Sequence, residues 1–208
     1  MSPPHNWQLG WSDLIATADS SSLGLGGTLN FTIPVQSSTP ENTIRILPSW
    51  LQQGTGYMPS FWVGYRIDSS PYDLPSTATQ GTFSAAPGSS SGVVNIYQYP
   101  GASKADATDT QRVGWLSTAG SSPSLIWQDT TYGSSLVIRL QAANQNSATV
   151  SVCRQAVAVE SASLCFDGLD NDCDGLIDLA DPGCAGAVAP PPPSPLPPSP
   201  LSTSPPLK

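Results

Sequence analysis

The stretch Thr28-Leu-Asn-Phe-Thr-Ile-Pro-Val35 sets Leu29, Phe31, Ile33 and Val35 on one side of an extended chain, with Thr, Asn, Thr and Pro on the other. A period of two over eight residues marks a half-buried β-strand, because successive side chains on a strand point to opposite faces. Working outward, the same enrichment in β-branched and aromatic residues returns at Ile44 and Ile46 and in Phe61-Trp-Val-Gly-Tyr-Arg-Ile67. It recurs in Val93-Val-Asn-Ile-Tyr97, Arg112-Val-Gly-Trp-Leu116, Leu125-Ile-Trp127, Leu136-Val-Ile-Arg-Leu140 and Ala148-Thr-Val-Ser-Val152. Connections rich in Gly, Pro, Ser and Asn separate these runs at fairly regular spacing. Trp7, Leu9 and Trp11 alternate with other residues and predict a further strand beginning near Asn6. Asp13 to Ala18 allows at most a turn or two of helix, and no segment holds a sustained helical period. About eight to ten short strands predict an all-β fold. The expected architecture is an antiparallel, jelly-roll-like β-sandwich over residues 1–160.

Composition agrees. Only 11% of the 208 residues are charged, against roughly 25% in ordinary soluble domains. The net charge of −8 is concentrated: six of the fifteen acids lie between Cys165 and Cys184, leaving nine acids against seven bases elsewhere. With no basic patch to displace counterions from phosphates, a nucleic-acid partner is not expected. No run of eighteen apolar residues exists, so no membrane span is expected. Met1-Ser-Pro-Pro-His-Asn-Trp7 lacks the apolar core of a secretory signal, so an exported protein of this sequence is expected to be a mature form or a fragment.

The four cysteines, Cys153, Cys165, Cys173 and Cys184, are clustered and even in number. They read as two disulfides in an oxidising compartment, with three pairings possible. A zinc site has no CxxC spacing and only His5 to draw on. Between the last three cysteines, Asp170, Asp172, Asp174, Gly175, Asp178 and Asp181 fall at positions 1, 3, 5, 6, 9 and 12 of a calcium loop, with the Leu176 carbonyl at position 7. Ile177 is expected to point into the neighbouring core. Crowded carboxylates repel one another unless a cation neutralises them. Pro182 after position 12 opposes an exiting helix, and Asp181 replaces the usual glutamate. Both departures predict a static calcium site of modest affinity, roughly 10⁻⁴ to 10⁻³ M.

Cys165-Phe-Asp-Gly-Leu-Asp-Asn-Asp-Cys-Asp-Gly-Leu-Ile-Asp-Leu-Ala-Asp181 resembles the thrombospondin type 3 repeat and the cysteine-flanked DxDxDG metal-binding motif of many microbial surface proteins. The resemblance covers about twenty residues, taken as a loop module over 161–186. It implies calcium and disulfide stapling rather than an activity, and paired sites in such repeats make Asp167 a candidate ligand for a second ion.

Residues 187–208 form a different segment. Ten of the last nineteen residues are proline, which favours an extended polyproline II chain. This tail is similar to the Ser-Pro and poly-Pro tracts of hydroxyproline-rich glycoproteins in algal and plant walls. That likeness implies O-glycosylation at Pro191, Pro192, Pro193, Ser194, Pro195, Pro197, Pro198, Ser199 and Pro200. Asn30-Phe31-Thr32 is an N-glycosylation sequon.

Enzymatic patterns are weak. Gly88-Ser-Ser-Ser-Gly92 matches GxSxG but has no downstream histidine, and the glycines of 24–27 lack the strand-to-helix unit of a nucleotide fingerprint. Asp68 with Asp73, or Glu41 with Asp129, are candidate glycosidase carboxylate pairs, but nothing in the sequence places either pair together. Six tryptophans, at 7, 11, 50, 62, 115 and 127, read as core or interface anchors, with a sugar-stacking platform as the sharper alternative. The expected function is non-enzymatic: a structural subunit of an extracellular, glycosylated filament or cell-surface coat, stabilised by Ca²⁺. It would assemble with itself through its proline-rich tail, with covalent glycans and with polysaccharide as a further partner. The alternative is a secreted carbohydrate-binding adhesin domain.

Overall fold

The computed structural model describes residues 2–51, 59–67, 92–101, 109–118, 125–130, 133–189 and 191. The chain is mostly β-sheet. Among the described residues nine strands form two sheets: β1 (Asp13–Ala18), β2 (Thr28–Pro34), β3 (Glu41–Ile46), β4 (Ser60–Arg66), β5 (Val93–Tyr99), β6 (Gln111–Ser117), β7 (Ile126–Gln128), β8 (Leu136–Ala143) and β9 (Ser147–Arg154). One sheet runs β1-β3-β4-β5-β6 and the other β2-β9-β8-β7. Each apolar run read from the sequence overlaps one of these strands, with Val35, Ile67 and Leu125 falling just beyond the strand ends. Their inward residues meet in a single core: Ile44, Ile46, Phe61, Val63, Tyr65, Val94, Ile96 and Leu116 from the first sheet, and Ile33, Ile138, Leu140, Val150 and Val152 from the second. Burying apolar surface on both sheets at once is the main driving force for the arrangement.

Three expectations are corrected. The strand expected near Asn6 is a short α-helix, α1 (Pro3–Gln8). Its two prolines sit in the first turn, where a missing N–H costs nothing and the fixed φ suits a helix. Trp7 then packs on Trp62 with ring centroids 5.0 Å apart, so the helix lies on the outer face of the five-stranded sheet. Asp13–Ala18 is strand β1 rather than a helical turn, with exposed Asp13, Ile15 and Thr17 alternating with more buried residues. Finally, the ladders are antiparallel except one, since β1 pairs with β3 in parallel. Parallel neighbours need a crossover connection, and here the crossover carries β2 into the other sheet.

The sheets differ at their two ends. At one end Val35 bridges to Tyr65, and the Tyr65 hydroxyl donates to the Asn144 carbonyl at 2.6 Å. At the other end β9 finishes at Arg154, whose guanidinium lies 4.7 Å from the Trp50 ring centroid. From there the chain enters a segment of short 3₁₀ turns, at Ala162–Phe166, Asp178–Ala180 and Pro182–Cys184. Among the described residues no helix is long and apolar enough to cross a membrane.

Candidate metal centre

Disulfides fix this segment to the body. Cys153–Cys173 and Cys165–Cys184 are the pairs, so the two covalent loops interleave. Cys153 lies on the outward side of β9 and packs with Val137 and Cys173, which sets the segment against the outer face of the four-stranded sheet. Two disulfides belong to an oxidising environment.

Between the cysteines, the backbone turns back to the body. The Asn171 carbonyl accepts from the N–H groups of Ala156 and Val157 at 2.8 and 3.1 Å. Gln155 Nε2 donates to the Asp172 carbonyl at 3.0 Å, and Arg139 Nε donates to the Cys173 carbonyl at 2.7 Å. With three successive carbonyls anchored, the loop cannot rotate freely, and its carboxylates turn toward one another. Oxygens of Asp170, Asp172 and Asp174 all fall within 4.8 Å of each other.

Each carboxylate spends one oxygen on the chain ahead. Asp170 Oδ2 accepts from Gly175 N–H at 3.1 Å, Asp172 Oδ1 from Asp174 N–H at 3.0 Å, and Asp174 Oδ1 from Leu176 N–H at 2.7 Å. Gly175 has φ +96°, a conformation costly for any residue with a Cβ. Asp170 is only 7% exposed, and its Oδ1 is buried with no hydrogen-bond partner. Burial pushes the Asp170 carboxyl above the usual carboxylate range. The Gly175 N–H opposes that shift, the Asp174 and Asp172 charges add to it, and the Arg139 charge opposes it. A buried anionic oxygen without a donor, beside two further carboxylates, is a hard-oxygen donor set of the kind that holds a calcium-like cation.

The other sequence-derived ligands do not belong to this trio. Asp178 has φ +51° and turns its carboxylate to the N–H groups of Asp167 and Gly168 at 3.1–3.2 Å. Asp181 is buried; its Oδ1 accepts from Gly183 N–H, and its Oδ2 has no hydrogen-bond partner. Asp167 accepts from Leu169 N–H at 2.9 Å and from Asn171 Nδ2 at 3.0 and 3.1 Å. Leu176 is exposed. Ile177 is exposed too, not turned into a core: it precedes a 3₁₀ turn tied back by the Cys165–Cys184 bond, and no exiting helix brings it over an apolar surface.

Glu160 was missed. It lies outside the cysteine-bounded stretch, yet it is fully buried, and its Oε1 accepts from Asn171 N–H at 2.7 Å. A lone acid just ahead of a Cys/Asp-rich segment was the available signal. Glu160 clusters with Cys165 and Cys184, but those sulfurs are bonded to each other and offer no thiolate to a metal.

Elsewhere, Asn30 is exposed on edge strand β2, and its Oδ1 accepts from Gln141 Nε2 at 3.2 Å. Of the tail residues named above, Pro191 is described; Pro192, Pro193, Ser194, Pro195, Pro197, Pro198, Ser199 and Pro200 lie outside the described residues, as do Asp68 and Asp73. Glu41 opens β3 and Asp129 follows β7, in different sheets, and Asp129 accepts from Ser134 N–H at 2.8 Å. Among the tryptophans, Trp62 is fully buried and Trp11 is 63% exposed, while the other four are half-buried. Comparison with known family models, curated proteins and solved structures finds no match to the chain.

Proposed function

We propose that this chain is a structural subunit of an extracellular, glycosylated filament or cell-surface coat, in which a calcium-set loop joins a β-sandwich body of jelly-roll kind to a proline-rich arm. The observation that carries the reading is the Asp170–Asp172–Asp174 cluster, with its buried, donor-less Asp170 oxygen held against the body by two interleaved disulfides. Such a site stiffens a junction, because a cation held by all three carboxylates offsets their mutual repulsion and fixes their spacing. Asp178, Asp181 and the Leu176 carbonyl complete the ligand set if the loop closes round the ion, with Asp167 available to a second one.

The remaining features suit a packed assembly. The body is nearly neutral, which limits repulsion between copies. Asn30 is open to an N-linked glycan, and the Pro/Ser tail from Pro191 to Pro200 to O-linked ones, the tail docking along neighbouring subunits. The adhesin reading is weaker on the tryptophans: a stacking platform needs several exposed rings on one face, whereas Trp11 alone of the six is in the exposed class.

Calcium titration of the full chain tests the proposal, with thermal unfolding and negative-stain microscopy as readouts. Calcium is expected to raise the melting temperature and promote filaments or sheets, and EDTA to reverse both. A chain that stays monomeric in calcium, with an unfolding temperature indifferent to EDTA, would sink it.

A further inference from the structure

Glu160 is the one acid of residues 160–184 that the calcium reading leaves without a ligand role. It is fully buried, and its two oxygens are treated unequally. Oε1 accepts from Asn171 N–H at 2.7 Å. Oε2 lies 3.4 Å from Cys184 Sγ, and a sulfur bonded to Cys165 has no proton to donate. A buried anionic oxygen with no donor is costly, and an adjoining cation offsets that cost. The carboxylate and both sulfurs lie within 4.8 Å of one another, and Cys165 and Cys184 are buried as well. We propose that the reduced chain binds a zinc-class cation through Glu160, Cys165 and Cys184. This site is distinct from the Asp170 trio, and it exists only while the Cys165–Cys184 bond is open.

Distance and donor type both favour that ion. Zinc bonds at about 2.3 Å to sulfur and about 2.1 Å to carboxylate oxygen, so a tetrahedral ion holds such a pair about 3.6 Å apart. The Cys184–Glu160 pair already stands near that separation. The two sulfurs need to part to about 3.8 Å, which side-chain rotation allows with the Cα atoms 5.6 Å apart. Two thiolates and one carboxylate are too soft and too few for calcium, which takes roughly six to eight oxygens. Three protein ligands leave the fourth position to water. A cleft of about 450 Å³ borders the site, lined by Phe166 beside Cys165 and by Gly183 and Ala185 on either side of Cys184. It gives the ion and the water a route in.

The frame of the site does not depend on the sulfur bond. Asn171 N–H holds Glu160, and Cys184 N–H donates to the Asp181 carbonyl at 3.0 Å. Gly183 packs so closely on Glu160 that an added Cβ would fall 2.7 Å from the Glu160 carbonyl oxygen. Oxidation empties the site. The two thiolates pass one electron each to an incoming disulfide, and their sulfurs join. The oxidant leaves as two thiols after taking up two protons, and the cation is released. Before that step the metal keeps Cys165 with Cys184. Of the three possible pairings, Cys153 is then left to Cys173, its partner in the structure.

Cobalt(II) titration of the full chain tests the site, after reduction with a phosphine and with calcium in excess. Thiolate-to-cobalt charge-transfer absorption with the d–d bands of a tetrahedral ion is expected at one equivalent, and zinc is expected to abolish it. The oxidised chain is expected to show neither. Cys153→Ser with Cys173→Ser is expected to keep the bands, and Cys165→Ser with Cys184→Ser to lose them. Glu160→Gln retains an acceptor for Asn171 N–H and is expected to shift the d–d bands and loosen cobalt binding. Circular dichroism of each sample follows the fold. Where reduction unfolds the chain, cobalt is expected to restore the β-sheet signal in wild type and not in Glu160→Gln. Absence of the charge-transfer band in reduced wild type overturns the proposal. So do bands that survive loss of Cys165 and Cys184, or that are indifferent to Glu160→Gln. Each of these failures leaves the calcium reading standing, since that reading is tested on the oxidised chain.

Discussion

At the scale of single residues, Asp170 is held at a cost in the absence of a cation. Its carboxylate is desolvated and faces Asp174 and Asp172, so its folded-state pKa lies above the unfolded value. For such a group the cost is present at neutral pH and is relieved as pH falls through the raised folded value. Asp170→Asn removes the charge without changing the shape. In EDTA this variant is expected to match or exceed wild-type stability, and in calcium it is expected to lose the cation-dependent gain. That gain is about 2.7 kcal/mol when calcium stands 100-fold above its Kd, or roughly 5–10 °C in melting temperature for a chain of this size. Paired unfolding curves in calcium and EDTA measure it. Asp19 behaves oppositely: hydrogen bonds from Ser21 and Ser22 hold its carboxyl below the usual range. Its small stabilising share is present above the unfolded pKa and is lost as pH falls through the lowered one. Asp19→Asn is therefore expected to flatten the acid side of the stability–pH curve slightly, a difference readable by urea titration across that range.

At the scale of elements, close approach between strands is the sensitive feature. A Cβ added at Gly114 of β6 would fall 2.2 Å from Cδ1 of Trp127 in β7, and Trp127 is held there by Nε1–H donation to the Val113 carbonyl at 3.2 Å. Gly114→Ala is expected to displace the indole and cost roughly 1–3 kcal/mol, seen as a lower melting temperature and altered tryptophan fluorescence. Replacing Cys165 and Cys184 by serine opens a loop of 19 residues' separation. It is expected to cost about 3 kcal/mol by the chain-entropy estimate while leaving the β-sheet circular dichroism in place. Strands with alternating β-branched residues were legible from sequence because side-chain period and burial agree in them. The 28–35 and 136–140 runs are the clearest. Two elements were not legible. The alternation of Trp7, Leu9 and Trp11 read as a strand, whereas Pro3-Pro4 start a helix, and the helix exists because Trp7 finds Trp62 some fifty residues away. Asp13–Ala18 is made a strand by pairing with β3, a partnership no local pattern announces. In the loop, ligand spacing was visible at once, but the anchoring of its carbonyls by Gln155 and Arg139 depends on strands distant in sequence.

At the scale of the whole molecule, the two disulfides decide how the arm beyond Cys184 is tied to the body. Cys153 lies on β9, which is flanked on both sides, by β2 and by β8. A pull on the arm therefore reaches a central strand rather than an edge, and spreads over two antiparallel ladders. The interleaved bonds also shorten the slack. With both intact, the shortest covalent path from Cys153 to Cys184 runs through a single stretch of 11 or 12 residues and one disulfide, so the junction can span no more than about 45 Å. With both reduced, all 31 residues between them can pay out, to roughly 105 Å. Single-molecule stretching before and after reduction is expected to show that difference in contour length. In a filament under flow, the junction would then act as a short tether that holds its length under load and gives way only when its sulfur bonds are broken.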